Sequence, residues 1–295
     1  VAKRAALIAA AGMHNLFMEG DPGCGKSMIA KRIKDILTPL TEEELLCIAK
    51  HEFLDGQTPG FKAIRPMRSP HHTATSASIF GGGSGQAKIG EVALASKGVL
   101  FFDEIPHFSN NILEAMREPL QDRKVLIARV NAKIEYDADI MFLAAQNPCP
   151  CGNLLSKVRS CRCSEIDIKR YQNKLSDPFL DRIDLFVVMK GVNSYDASDV
   201  STKGMHEAVI KAFKMQKERA QIRLNGKLAE DEIEKYCVLN NDAQKILESA
   251  IVKFALSHRS IASVKKIGRT ISDLNGNVKI EKKDILEALS YRRRK

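Results

Sequence analysis

The sequence contains no uninterrupted apolar run of the roughly 20 residues that a helix needs to cross a bilayer. Residues 1–4 also lack the profile of a secretory signal peptide. These two absences argue against a membrane partner and favour a cytoplasmic location. We therefore expect the seven cysteines to be reduced thiols or metal ligands, because disulfide frameworks are typical of secreted chains.

The chain also lacks an initial methionine, and we expect it to begin inside a longer protein. Its 295 residues suffice for one large domain or two ordinary ones. The hydrophobic share of 44% and the charged share of 28% are typical of a soluble globular protein.

The charge is unevenly distributed along the chain. The net charge is +10, and residues 201–295 contain 21 of the 46 basic residues but only 12 of the 36 acidic ones. A basic C-terminal part beside a nearly neutral body is compatible with a nucleic-acid partner. The alternative is a solvated helical surface, because charged stretches on helices are commonly just that.

A glycine-rich segment fits the pattern G-x-x-x-x-G-K-[ST] of a phosphate-binding loop. Its residues are Gly20, Asp21, Pro22, Gly23, Cys24, Gly25, Lys26 and Ser27, followed by Met28. Glycines let backbone N–H groups turn toward phosphates, the lysine neutralises the β- and γ-oxygens, and the serine hydroxyl ligates Mg²⁺. Residues 14–18 resemble a buried strand and 28–33 a helix whose N-terminus would face the phosphates. With this context a nucleoside triphosphate site is favoured over a chance match in a turn.

Two further apolar segments end in polar residues that suit the same site. Residues 99–102 precede Asp103 and Glu104, as in a buried parallel strand that ends at the ligand-bearing edge of a sheet. In phosphate-loop enzymes the first carboxylate lies near Mg²⁺ and the second orients or deprotonates the attacking water. Residues 140–145 form a similar strand, and Asn147 after it could touch the γ-phosphate or the water. The alternative for Asn147 is a turn residue before a proline.

Four cysteines occur within 15 residues in the pattern C-x-C-x₉-C-x-C. They are Cys149, Cys151, Cys161 and Cys163. Four thiols can complete a tetrahedral zinc site, although the one-residue spacing within each pair is tighter than usual. Free or redox-active thiols are the alternative.

The rest of the chain divides into segments of different character. Residues 56–90 are broken by glycine and proline, and 124–136 resemble the two arms of a hairpin around Asn131. A nucleotide-binding core is predicted for 1–190, with a polar linker over 191–204. Five helices are predicted after the linker, at 205–222, roughly 230–237, 241–256, 260–274 and 281–291.

Together these motifs resemble an AAA+ ATPase of the magnesium-chelatase-like branch, and within it the ComM (YifB) family. The resemblance covers nearly the whole chain. It is carried most specifically by Arg-Ser-Pro-His-His-Thr at 68–73 and by Asn-Pro-Cys-Pro-Cys-Gly at 147–152. Further matches are Arg-Glu-Pro-Leu at 117–120, Leu-Asp-Arg-Ile-Asp at 180–184 and Gly-Arg-Thr-Ile-Ser-Asp-Leu at 268–274. The implied fold is α/β, a three-layer αβα core with a parallel sheet, followed by an all-α lid over 205–295.

The resemblance also implies roles for individual residues. Lys26 and Ser27 would bind phosphates and Mg²⁺, with Asp103 on the metal side and Glu104 as the water-activating carboxylate. Asn147 would be the first sensor. Arg182 would be the arginine finger that reaches the γ-phosphate of a neighbouring subunit. Arg259 would be the second sensor on the lid, with Arg269 in reserve.

The segment 56–90 resembles the helix-2 insert of this clade, and 124–136 resembles its pre-sensor hairpin. Both would line the central pore of a ring. The basic residues of the hairpin are therefore candidates for contacting nucleic-acid phosphates. They are Lys124, Arg129 and Lys133.

The leading functional hypothesis is an ATP-driven ring motor on DNA, a branch-migration helicase acting in natural transformation. It would use ATP and Mg²⁺, together with a zinc ion if the cysteines bind one. It would form a hexamer with copies of itself and bind single-stranded or branched DNA. Two alternatives stay open, a magnesium-chelatase motor subunit and an ATPase that remodels proteins without nucleic acid.

Overall fold

The computed structural model describes residues 1–82, 88–128, 133–156, 159–191 and 200–293. The strands are, in chain order, β1 (Leu16–Gly20), β2 (Met67–Arg68), β3 (Gly81–Gly82), β4 (Lys88–Ile89), β5 (Val99–Phe102), β6 (Lys124–Ala128), β7 (Lys133–Asp137), β8 (Met141–Gln146) and β9 (Leu185–Met189). The helices are α1 (Ala2–Gly12), α2 (Lys26–Ile33), α3 (Glu42–Leu54), α4 (Ser76–Phe80), α5 (Glu91–Leu94), α6 (Asn110–Ala115), α7 (Arg117–Asp122), α8 (Glu165–Gln172), α9 (Asp177–Leu180), α10 (Thr202–Glu218), α11 (Glu230–Tyr236), α12 (Asn241–Phe254), α13 (His258–Leu274) and α14 (Lys282–Ser290).

Five strands form a central sheet in the order β2-β5-β8-β1-β9, and every neighbouring pair is parallel. Alternate residues of β1 enter two different apolar clusters, Leu16 and Met18 on one face and Phe17 on the other. The sheet is therefore covered on both faces, which explains why its strands are apolar runs. Because the strands run in one direction, the segments after β1, β5 and β8 meet at one edge.

The helical C-terminal region is continuous with the core through α1. A single buried cluster contains Ile8 of α1, Leu16 of β1, Ile267 of α13 and Ile285 of α14. The α/β core and all-α region predicted from the sequence are thus both present. Their packing gives the lid a direct connection to the strand that carries the phosphate-binding loop.

A buried polar network stabilises the lid around Arg269 and Asp273. Arg269 Nε donates to Asp273 Oδ1 over 3.2 Å, and Arg219, directly after α10, donates to both carboxylate oxygens over 2.6 and 2.7 Å. Other donors of Arg269 bind Ser272 Oγ and two backbone carbonyls of the same region. Arg269, the reserve candidate for the second sensor, is fully buried in these contacts, which favour a structural role.

Some elements differ from the sequence-based expectation. The segment 56–90 contains β2, which pairs with β5 and so extends the central sheet. The residues around Arg-Glu-Pro-Leu form two short helices, α6 and α7, which are divided at Met116. The reason is Pro119, which has no N–H to donate to the carbonyl of Ala115. The helix α10 begins at Thr202, earlier than expected.

The hairpin predicted over 124–136 is present as the antiparallel pair β6 and β7, in which Leu126 lies opposite Glu135. Residue 131 at its turn and residues 192–199 of the expected linker lie outside the described residues. None of the helices in the described ranges combines the length and apolarity that a membrane crossing requires.

Candidate functional site

The phosphate-binding loop connects β1 to the N-terminus of α2. Gly23 and Gly25 have φ angles of 79° and 91°, a left-handed conformation that glycine adopts without strain. Gly25 is the N-cap of α2 and provides no side-chain hydrogen bond to the first turn. The N–H groups of this turn are thus free of a capping side chain and face the loop, the arrangement that binds anions at helix N-termini.

Lys26 lies across the loop and joins it to the neighbouring strand. Its Nζ donates to Asp21 O over 3.0 Å and to Asn147 Oδ1 over 3.1 Å, and the side chain is largely buried. The ammonium group of Lys26 is thus hydrogen-bonded to a carbonyl oxygen and an amide oxygen. In a nucleotide complex the same group would neutralise phosphate oxygens. The structure thus places Lys26 in contact with the predicted sensor Asn147, which directly follows β8.

Ser27 and Asp103 form the second contact across the site. Ser27 Oγ donates to Asp103 Oδ2 over 2.7 Å, which joins the start of α2 to the end of β5. Oxygen ligands are those that Mg²⁺ prefers. This donor set and the open N-terminus of α2 fit ATP and Mg²⁺.

Glu104 follows Asp103 in an unusual backbone conformation. Its φ and ψ angles are 50° and 46°, and its N–H donates to Asp103 Oδ1 over 3.0 Å. A left-handed residue other than glycine costs free energy of about 1 kcal/mol or more and commonly marks a functional position. The side chain is exposed beside the predicted metal ligands, where a water-activating carboxylate would be needed.

The two predicted sensor and finger arginines meet at a residue that the sequence did not single out. Arg182 Nη2 and Arg259 Nη2 both donate to Gln121 Oε1, over 2.6 and 3.1 Å. Arg182 Nε also donates to the carbonyl of Arg117 over 2.9 Å. Burial lowers the pKa of Arg182, and the positive charges of Arg259 and Arg117 lower it further. Arg182 of the core and Arg259 of the lid thus lie side by side at Gln121, and these contacts do not involve the phosphate-binding loop.

The four predicted cysteines converge to one point. Their sulfur atoms all lie within 4.8 Å of one another. The Cys149–Cys151, Cys149–Cys161 and Cys151–Cys161 separations are 3.5, 3.7 and 3.6 Å. A zinc ion bound at about 2.3 Å by four thiolates separates the sulfurs by about 3.8 Å. The donor set and its size therefore fit zinc.

Two of the three DNA-contact candidates, Lys124 and Lys133, belong to the β6–β7 hairpin. Lys124 Nζ donates to Glu135 Oε1 over 2.6 Å across the two strands, and both side chains are about half exposed. Arg129 lies outside the described residues, and Lys133 is the first residue of β7. The structure thus provides a cross-strand partner for Lys124 and leaves the two other candidates as predictions.

Two contacts near the site were missed by sequence reasoning. Gln121 binds partners 61 and 138 residues away, so no local pattern indicates its role. Gly152 lies against Pro22 of the loop, where an added Cβ would be 2.6 Å from Cγ of the proline. A glycine next to a cysteine pair is the only sequence signal for that approach.

Comparisons with known proteins give a consistent family relation. A family model described as magnesium chelatase, subunit ChlI, matches residues 1–197, and its C-terminal counterpart matches 199–292. Competence protein ComM of Haemophilus influenzae is 40% identical over 299 residues, covering 99% of this chain and 58% of that protein. YifB of Salmonella typhimurium is 39% identical and YifB of Escherichia coli 36%, each with 98% and 58% coverage. The chain thus spans 58% of the length of these relatives.

Proposed function

We propose that the chain is the subunit of a cytoplasmic, ring-shaped ATPase that moves along DNA. The chain belongs to the magnesium-chelatase-like AAA+ ATPases, in the group of ComM and YifB. Family membership supports an ATPase that uses ATP and Mg²⁺. The observation that carries the proposal is the pairing of Ser27 with Asp103, beside Lys26 and the exposed Glu104. These side chains supply the groups that phosphoryl transfer to water requires.

In the proposed reaction the loop N–H groups and Lys26 hold the triphosphate. The ammonium of Lys26 exchanges its contacts with Asp21 O and Asn147 Oδ1 for phosphate oxygens. Ser27 and Asp103 would hold Mg²⁺, which would supply positive charge beside the phosphates. Asn147 is then free to contact the γ-phosphate or the attacking water. Glu104 orients this water and accepts its proton.

We propose that the reaction also needs a second copy of the chain. The guanidinium groups of Arg182 and Arg259 are fixed at Gln121 by side-chain contacts outside their own phosphate-binding loop. In a ring, Arg182 would reach the γ-phosphate bound by the next subunit and stabilise the charge of the transition state. Arg259 would report the same nucleotide to the lid. A hexamer is the expected assembly.

DNA is the proposed track of the motor. The basic C-terminal part and the hairpin with Lys124, Arg129 and Lys133 support contacts with phosphates. The relative from Haemophilus influenzae is named a competence protein. On that basis we propose that the motor binds single-stranded or branched DNA and catalyses branch migration during natural transformation.

We also propose that Cys149, Cys151, Cys161 and Cys163 hold a structural zinc ion. The near-tetrahedral separations of their sulfur atoms support this assignment. Bound zinc would cross-link the segment after β8 to the segment before α8.

A second candidate function is the motor subunit of a magnesium chelatase, favoured by the description of the family model that matches residues 1–197. Remodelling of proteins without nucleic acid is a third. Neither would require DNA to stimulate ATP hydrolysis. Metal insertion into a porphyrin in the presence of partner subunits would identify the second.

The test is ATP hydrolysis by the purified natural protein, with and without single-stranded or forked DNA. We expect several-fold stimulation by DNA and a loss of about 100-fold or more in Glu104→Gln, because general-base catalysis contributes about that much. Glu43→Gln, at an exposed position of α3, is the matched control. A hydrolysis rate that is the same with and without DNA would contradict the proposed DNA motor. A wild-type hydrolysis rate in Glu104→Gln would contradict the proposed role of Glu104.

A further inference from the structure

The cysteine cluster lies directly against the phosphate-binding loop. Gly152, one residue after Cys151, has a φ of 79°, and a Cβ added there would lie 2.6 Å from Cγ of Pro22. Any side chain at this position would collide with the loop. The backbone of the cluster is thus in contact with the loop at a distance that only glycine permits.

The cluster also fixes the position of Asn147. Cys149, two residues after Asn147, is fully buried, and the Gly152 N–H donates to its carbonyl over 3.0 Å in a tight turn. Asn147 Oδ1 accepts the 3.1 Å hydrogen bond from Lys26. A shift of this turn would therefore move the amide that contacts Lys26 of the phosphate-binding loop.

The second cysteine pair returns the chain to the same place. Cys161 and Cys163 lead into α8, and Gln172 near its end donates to the carbonyl of Pro148 over 3.3 Å. The hydroxyl of Tyr171, a buried residue, interacts with the backbone of Asn147. The segment from Asn147 to Gln172 thus begins and ends at the same place. Between its ends, the four cysteine sulfur atoms lie together and could be joined by one metal ion.

We propose that zinc binding by the four cysteines braces the nucleotide site, so that the affinity for ATP depends on zinc occupancy. Four zinc–thiolate bonds would hold both ends of the segment together and keep Gly152 against Pro22. They would also keep the Asn147 amide beside Lys26, where it can contact the γ-phosphate once Lys26 has exchanged its hydrogen bonds for phosphate oxygens. Without the metal, weak thiol contacts replace these bonds, and the loop and Asn147 lose their common support. The inference rests on the proposed zinc ion and nucleotide site, and it is independent of DNA.

Zinc content and ATP affinity test the proposal on the natural protein without DNA. Zinc is counted by plasma mass spectrometry, and binding of a fluorescent ATP analogue gives the Kd. We expect one zinc per chain in the wild type and in Cys47→Ser, a control at a cysteine outside the cluster. In Cys161→Ser we expect loss of zinc and a Kd raised about tenfold or more, the effect of losing one hydrogen bond to a charged group.

Gly152→Ala distinguishes the effect of the contact with Pro22 from the effect of losing the metal. It keeps all four ligands but places a methyl group against Pro22, so we expect zinc to stay bound and the Kd to rise. Wild-type affinity in a zinc-retaining Gly152→Ala would overturn the proposal, even if Cys161→Ser failed to fold. Zinc-free wild-type protein would also overturn it. If the wild type binds ATP and zinc but DNA does not stimulate its hydrolysis, only the proposed DNA motor is contradicted. If the wild type binds no ATP, both the motor and the dependence of ATP affinity on zinc are contradicted.

Discussion

At the scale of single residues, Asp184 connects the start of β1 to the lid. Its Oδ2 accepts the N–H of Asn15 over 2.9 Å, and its Oδ1 accepts the hydroxyl of Ser263 in α13 over 3.0 Å. Asn15 Nδ2 in turn donates to the carbonyl of Arg182 over 2.9 Å. The carboxylate therefore ties the backbone of the proposed arginine finger to both the sheet and the lid.

Replacing Asp184 by asparagine should destabilise the protein in a pH-dependent way. Burial alone would raise the pKa of this carboxyl, but His14, Lys266 and the N–H of Asn15 lower it below 3.8. A carboxyl with a lowered folded-state pKa stabilises the fold above its unfolded-state pKa and loses this effect as the pH falls. We expect Asp184→Asn to cost about 2 kcal/mol in the free energy of unfolding near pH 7.

Urea titrations across pH measure this cost, with Asp242→Asn at an exposed position of α12 as the control. The difference from wild type should stay constant between about pH 7 and about pH 5 and shrink below about pH 4. A cost that is the same at every pH would show that the charge of Asp184 does not matter.

The sequence predicted contacts between motif residues far better than contacts between unrelated segments. Ser27 and Asp103 were both assigned to the Mg²⁺ site, and they form a hydrogen bond in the structure. Gln121 could not be found, because its arginine partners lie on α13 and after α9, and no periodicity links these positions. Contacts of this kind depend on how the lid packs on the core.

At the scale of elements, the buried strands were predictable because each is an apolar run that ends in polar residues. This holds for β1, β5 and β8, whose alternate residues enter the two apolar clusters on opposite faces of the sheet. The strand β2 was not predictable. It has two residues, follows a proline-broken segment and forms only through pairing with β5.

The β6–β7 hairpin offers a test of DNA contact in two directions. Lys124→Ala should weaken binding to single-stranded DNA and lower the slope of log affinity against log salt by about 0.7, the share of one phosphate contact. Glu135→Gln should strengthen binding, because it removes a negative charge and leaves Lys124 without its 2.6 Å partner. Fluorescence anisotropy of labelled DNA at several salt concentrations measures both effects.

Lys245→Ala, at an exposed position of α12, removes the same charge from the lid and serves as the control. If Lys124→Ala and Lys245→Ala weaken binding equally, the hairpin has no particular part in DNA contact, and only the overall charge matters.

At the scale of the whole molecule, the phosphate-binding residues and the predicted finger arginine take part in different hydrogen bonds of the same chain. Lys26 contacts Asn147 and Ser27 contacts Asp103, whereas Arg182 binds Gln121 and backbone carbonyls. A complete site under the proposed mechanism therefore needs two copies, one for each side. Such a head-to-tail contact generates a ring when its rotation closes.

Mixing two inactive variants tests this division. Glu104→Gln damages the phosphate-binding side, and Arg182→Ala damages the arginine side. In mixed rings about one interface in four joins two intact sides, so equal amounts should recover about a quarter of the wild-type hydrolysis rate. A mixture of Glu104→Gln with Lys26→Ala should stay inactive, because every subunit then carries a damaged phosphate-binding side. If the first mixture also stays inactive while both variants still assemble, Arg182 acts within its own subunit and the ring is not required for hydrolysis.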